Sequence, residues 1–160
     1  GAVRAPVIEG MIAAQIPVMG HLGLTPQSVH AMGGYRVQGR DLDDAKLLVD
    51  DAHALEDAGC FAVVLEGVPD VLAARITDVL AIPTIGIGAG PSTDGQVLVF
   101  HDLLGLGNRP LAKFVREYAQ LGTQVTEAIG RFAADVRSGA FPSANETYAA
   151  SDELRAALGD

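Results

Sequence analysis

The sequence predicts a parallel α/β fold, either a barrel or a doubly wound sheet, and three observations carry that reading. Short apolar runs alternate with stretches of helical periodicity across short links, the pattern of parallel strands joined by right-handed crossovers. Aromatic residues make up 5% of the 160 residues while glycine numbers 19, which gives an aliphatic core with tight turns in place of a sandwich built on aromatic pairs. Polar residues and glycines cluster just after the C-terminal ends of the apolar runs. That is the end at which barrel active sites are assembled, and it favours the barrel. About four strands are visible, whereas a closed barrel of this kind uses eight in about 250 residues, so roughly half of a barrel is expected.

Each element follows from its pattern. Residues 7–14 are mostly apolar with helical spacing, and the apolar run 16–20 reads as a buried strand. The stretch 22–40 is too long for a simple connection and is either a functional loop or a loop with a short helix inside it; it is expected to close over the site, with hinges at Gly33, Gly34 and Gly39. From 41 to 58, Leu42, Ala45, Leu48, Val49, Ala52 and Leu55 recur at helical spacing, and Gly59 stands where a C-terminal cap belongs. Residues 61–65 read as a strand buried on both faces that delivers Glu66 at its end. Pro69 starts a helix with Leu72, Ile76, Val79 and Leu80 on one stripe, and 82–87 is the next strand. The run 97–100 is expected to be a further short strand or a buried turn, and 113–137 a long amphipathic helix. The division expected is a barrel segment with terminal helices over 1–142 and an Ala-, Ser- and acid-rich tail over 143–160.

Charge and cysteine content narrow the function. With 20 acidic against 11 basic residues and a net charge of -9, a nucleic-acid or anionic-membrane partner is disfavoured electrostatically. The single cysteine, Cys60, cannot form an intramolecular bridge, and no signal-peptide pattern opens the chain, so a reducing cytoplasm is expected.

Glu66 is the leading catalytic candidate. A carboxylate that follows five apolar residues sits at the rim of a core, where desolvation favours the neutral acid and makes a general base. The alternative is a glutamate that salt-bridges a neighbouring loop. His21 ends the preceding strand in the same way and would face the same mouth, to orient a substrate or an oxyanion, or else serve as a structural histidine. The turn Gly86-Ile87-Gly88-Ala89-Gly90 lets backbone N–H groups approach an anion, yet it lacks the Lys-Ser/Thr ending of a P-loop, and tight turning is the simpler reading. Asp94, Gln96, His101 and Asp102 are explained by a turn and a helix cap. No Cys/His cluster has zinc spacing, and Asp41, Asp43, Asp44, Asp50 and Asp51 fit the first turn and solvated face of a helix, so no metal held wholly by this chain is expected. Met11, Met19 and Met32 are expected to be core filler.

Longer stretches carry a resemblance. Gly20-His21-Leu22-Gly23-Leu24-Thr25-Pro26-Gln27-Ser28-Val29 and Gly33-Gly34-Tyr35-Arg36-Val37-Gln38-Gly39-Arg40 resemble the signature loop after the fifth strand of the ketopantoate hydroxymethyltransferases. Val64-Leu65-Glu66-Gly67-Val68-Pro69, the run 82–90 and the run 94–99 continue it in order and at that family's spacing. The resemblance implies a (β/α)8 barrel of the phosphoenolpyruvate/pyruvate type, here with about its second half. It implies Mg²⁺, 5,10-methylenetetrahydrofolate as cosubstrate, 3-methyl-2-oxobutanoate as the 2-oxo acid substrate, and a homo-oligomer, commonly a decamer. By the same resemblance Glu66 matches the proton acceptor and His21 a substrate-binding histidine of the pocket. The family's metal-binding aspartates and substrate-binding lysine match positions that would precede Gly1, which itself matches a glycine after the lysine-bearing strand. Where the family closes on Glu-His-Ser-Phe this chain has Asn145-Glu146-Thr147-Tyr148, a departure that weakens any role for that segment, and Gly67 stands where many relatives have cysteine. A half barrel alone is expected to be inactive. Two other readings stay open: another Mg²⁺-dependent 2-oxo-acid C–C lyase or mutase of the same barrel type, and a non-catalytic half barrel that serves as an oligomerisation partner.

Overall fold

The computed structural model describes residues 1–25 and 36–159. A 3-10 turn (Ala2–Arg4) leads into α1 (Ala5–Ala13), with a proline in its first turn, where a missing N–H costs nothing. Gln15 takes a φ of 62° and the Ile16 N–H returns to the Met11 carbonyl at 3.0 Å, which closes the helix. The strand expected over 16–20 therefore starts later, as β1 (Met19–Gly23). Ile16 is still spent on the helix end, and Pro17 has no N–H to give to a ladder.

The next unit forms as its pattern predicts. Asp41 caps α2 (Leu42–Asp57) by accepting the Asp44 N–H at 2.9 Å. At the other end Gly59, at φ 94°, lets its own N–H reach the Glu56 carbonyl (2.8 Å) while the Cys60 N–H reaches that of Leu55 (3.1 Å), the paired closure of a Schellman motif. Then come β2 (Ala62–Glu66), α3 (Asp70–Val79) directly after Pro69, β3 (Thr84–Ile87) and the two-residue β4 (Gly95–Gln96). The sheet order is β1-β2-β3-β4 and every pairing is parallel.

This sequential order, with no reversal of winding, is that of a barrel segment and not of a doubly wound sheet. Side-chain alternation assigns the two faces. Leu22, Val63 and Leu65 point outward into a core with Ile8 of α1, Ala52 and Leu55 of α2, and Leu72, Ala73 and Ile76 of α3. The opposite face carries Met19, His21, Val64, Glu66, Ile85 and Ile87, and there His21, Val64, Glu66 and Ile85 are only half-buried and Met19 is 45% exposed. The strand read over 61–65 as buried on both faces is fully buried outward at Val63 and Leu65, while on the inward face Ala62 is buried and Val64 is half-buried. Met19 is not core filler, because it lies on the uncovered face, and Met11 is exposed on α1; Met32 lies outside the described residues.

Two later elements differ from expectation. The pairing segment is Gly95–Gln96, with the Val97 N–H completing the ladder to the Gly86 carbonyl at 3.0 Å, while Val97, Val99 and Phe100 are exposed and form neither a strand nor a buried turn. After α4 (Phe100–Leu103), the helix expected over 113–137 begins only at α5 (Leu121–Ser138). Tertiary packing overrides the periodicity here, since Phe114 is drawn against Gly88, where any Cβ would meet its ring.

The chain divides into two compact units, Gly1–Phe100 with Pro110–Arg116, and His101–Arg109 with Glu117–Asp160. In the second, the Tyr118 and Leu121 N–H groups bond the Leu103 and Leu104 carbonyls, the Phe132 and Phe141 rings meet edge to face at 5.3 Å, and α5 leaves Val125, Ile129, Phe132 and Val136 exposed. A capping box between Ser143 and Glu146 closes a 3-10 turn, and α6 (Asp152–Leu158) is capped by Ser151.

Candidate functional site

Parallel pairing places Gly23 of β1 opposite Glu66 of β2, and His21 opposite Val64. His21 is therefore on the same face as Glu66 and one diagonal step below it. Gly23 has no side chain, and a Cβ there would collide with the Glu66 carbonyl and with Val68. Its φ of 84° is open to glycine at little cost.

His21 Nε2 lies 3.1 Å from Glu66 Oε2, with the histidine side chain 32% exposed and the glutamate 14%. The separation is that of a hydrogen bond, yet Nε2, itself buried, has no aligned hydrogen-bond partner. We read the pair as a close polar contact. The backbone around Glu66 is fixed on three sides. Its carbonyl accepts the Leu24 N–H (2.8 Å), the Gly67 N–H donates to the Ile87 carbonyl (2.9 Å), and the Gly67 carbonyl accepts the Gln38 N–H (2.9 Å).

The structure thus brings together the two residues the sequence singles out. Position within the strand differs for His21, which is the third residue of β1 rather than its end. The arrangement can accept a proton at Glu66 from a group lying over the uncovered face. A separate cavity of about 230 Å³ lies along the open edge of β1, lined by His21, Thr25, Gln38, Asp44 and Asp51 among others, but Glu66 does not line it.

Other candidates have structural work. Asp94 Oδ2 accepts the Thr84 N–H (2.8 Å) and hydroxyl (3.1 Å), and these bonds hold its carboxyl below the usual carboxylate range. Thr84 is fully buried and shares a 2.7 Å hydroxyl contact with Thr77, whose hydroxyl reaches the Ala73 carbonyl at 2.9 Å. Gln96 donates to the Gly90 carbonyl (2.9 Å) and to Thr93 Oγ1 (2.8 Å). The turn 86–90 is packed rather than open to an anion: Ala89 is fully buried, and Gly88 and Gly90 abut Phe114 and Asp70. His101 and Asp102 belong to the second unit. Of the aspartates at α2, the charge of Asp41 pushes the Asp44 carboxyl up, and Asp51 accepts the Ala2 N–H at 2.6 Å. Sequence reading missed Glu56, which ties the turn before β3 to α2 by accepting the Ala81 (2.6 Å) and Ile82 (3.2 Å) N–H groups, and Gln38; neither has a local pattern that reveals its distant partner.

Of the loop expected to close over the site, residues 26–35, including Gly33 and Gly34, lie outside the described residues, and Gly39 packs against Leu72 and Leu48. Among the described residues no group of three or more His, Cys, Asp or Glu side chains converges to hold a metal, and no helix is long and apolar enough to cross a membrane.

The family model for ketopantoate hydroxymethyltransferase matches residues 1–144. A 3-methyl-2-oxobutanoate hydroxymethyltransferase of Methylobacterium sp. (strain 4-46) is 60% identical over 158 residues, 99% of this chain and 55% of the relative. A second such protein from Bradyrhizobium diazoefficiens is 58% identical over 160 residues (99% and 54%), and one from Trichlorobacter lovleyi is 56% identical over 148 (92% and 55%). The chain spans about half the length of the curated relatives it matches.

Proposed function

The chain belongs to the ketopantoate hydroxymethyltransferase family, and from that premise we propose that it contributes the C-terminal half of an enzyme that moves a hydroxymethyl group from 5,10-methylenetetrahydrofolate to 3-methyl-2-oxobutanoate. The product is 2-dehydropantoate, on the route to pantothenate. The observation that carries the reading is the placement of Glu66 at the C-terminal end of β2, on the uncovered face and beside His21.

In this reading Glu66 takes the proton from C3 of the 2-oxo acid. The C–H electron pair moves into a C2–C3 enolate, and C3 then bonds to the folate-borne carbon as its C–N bonds to the folate break; water supplies the hydroxyl oxygen, the folate nitrogens take up the protons, and tetrahydrofolate leaves. General-base help of this kind contributes about 10²–10⁴-fold. The exposed part of the His21 ring lines the same mouth and orients the substrate. Mg²⁺ is part of the proposal, with its ligands expected outside this chain as the family resemblance implies; when bound it would supply a positive charge for the developing enolate. A homo-oligomer in the cytoplasm, small-molecule substrates without a nucleic-acid partner, and a barrel segment over 1–142 with a tail over 143–160 complete the reading.

The test joins this chain to the N-terminal part of the Methylobacterium relative and follows loss of the C3 proton of 3-methyl-2-oxobutanoate into D₂O. Glu66→Gln is expected to slow exchange by about 100-fold or more while Mg²⁺ binding holds. Undiminished exchange removes Glu66 from the role. The chain without the added part is expected to show no turnover.

A further inference from the structure

The contact between His21 and Glu66 has a geometry that a substrate ligand alone does not need. The imidazole as a whole is 32% exposed, yet its Nε2 is buried and is the end turned toward Glu66 Oε2 at 3.1 Å. A substrate atom approaching over the open face meets the exposed part of the ring. Nε2 is reached by the carboxylate and not by solvent. The register brings the two together: His21 pairs with Val64, two residues before Glu66 on the same face of β2. A buried polar nitrogen without a hydrogen bond is costly to keep, which marks the position as serving more than packing.

We infer that His21 is a positioning residue for Glu66, its Nε2 facing the carboxylate and fixing the direction in which Oε2 is presented to the substrate. The inference rests on the reading of Glu66 as proton acceptor and adds to it a second role for His21. A glutamate has three side-chain torsions, and on the uncovered face nothing else among the hydrogen bonds and ion pairs of the described residues restrains its carboxylate. Without the imidazole the carboxylate would sample orientations that do not face C3, and rate would fall without loss of substrate affinity.

The experiment uses the chain completed with the N-terminal part of the Methylobacterium relative and measures kcat and KM for C3 proton exchange. His21→Ala is expected to lower kcat about tenfold or more with KM changed less than about twofold. His21→Gln, whose amide N–H extends from the same Cα, is expected to recover most of the loss. In a Glu66→Asp background, where the carboxylate is one methylene shorter and leaves the contact, His21→Ala is expected to cost little further. Urea midpoints of each variant separate a folding defect from a catalytic one. A raised KM with kcat retained would make His21 a substrate ligand only and overturn the inference, as would equal losses in the two Glu66 backgrounds. Unchanged exchange in Glu66→Gln would instead sink the base assignment itself, whatever His21 does.

Discussion

The two faces of the one sheet differ in what holds them. On the outward face Leu22, Val63 and Leu65 are buried under α1, α2 and α3, and Thr84 is tied to Thr77 and Asp94. On the inward face Met19, Val64 and Ile85 have no such cover, and the polar groups presented there are His21 and Glu66. The same strands therefore bury one side under helices and present His21 and Glu66 on the other, separated by the two-residue period of the backbone.

The largest effect that sharpens this contrast is expected at Leu65. It is fully buried between β2 and the helices, so Leu65→Ala removes its packing and leaves a cavity. A loss of about 2–5 kcal/mol is expected in urea unfolding of the completed chain. A loss under about 1 kcal/mol would mean that the helix-covered face is not where stability resides.

That contrast also explains which features were legible in the sequence. The 41–58 helix and its Gly59 closure, the Pro69 helix start and the delivery of Glu66 are local matters of periodicity, capping and strand ends, and all are found. Residues 20–29, 33–40 and 64–69 carried the family resemblance. What sequence reading missed depends on distant partners. The start of α5 is set by where Phe114 packs, the register at β4 by which backbone meets Gly86, and the exposure of Met19 by the absence of a covering layer, none of which periodicity encodes. At the site, Glu66 and His21 were visible as polar residues in apolar runs. Their 3.1 Å contact was not, because it needs the register of β1 on β2.

A middle-sized effect tests the outward face through its polar thread. Thr84→Val keeps the shape but removes the hydroxyl shared with Thr77 and Asp94, and about 1–3 kcal/mol is expected to be lost at neutral pH. Because Asp94 has its carboxyl depressed by the Thr84 bonds, its contribution is fully present above the ordinary value of 3.8 and is lost as pH falls through the lower folded value. Stability of the parent is therefore expected to drop below about pH 4. In Thr84→Val that drop should shrink, since one of the bonds that favour the ionised form is gone, while the bond from the Thr84 N–H remains. Identical acid profiles would show that the hydroxyl does not stabilise the Asp94 carboxylate.

The smallest effect is the one that can break the comparison. Met19 begins β1 on the inward face and is 45% exposed, so in this chain alone Met19→Ala is expected to change the urea-unfolding free energy by under about 0.5 kcal/mol. In the completed chain the same face becomes the interior of a barrel, layered with side chains from alternate strands. Met19→Ala should then cost more than about 1 kcal/mol, approaching the range for a buried methionine. The contrast between the faces is thus a property of the half and should vanish in the whole. Equal and small costs in both settings would mean that the inward face stays open around Met19 even when the barrel is closed, and that the site beside Glu66 is walled by something other than the missing strands.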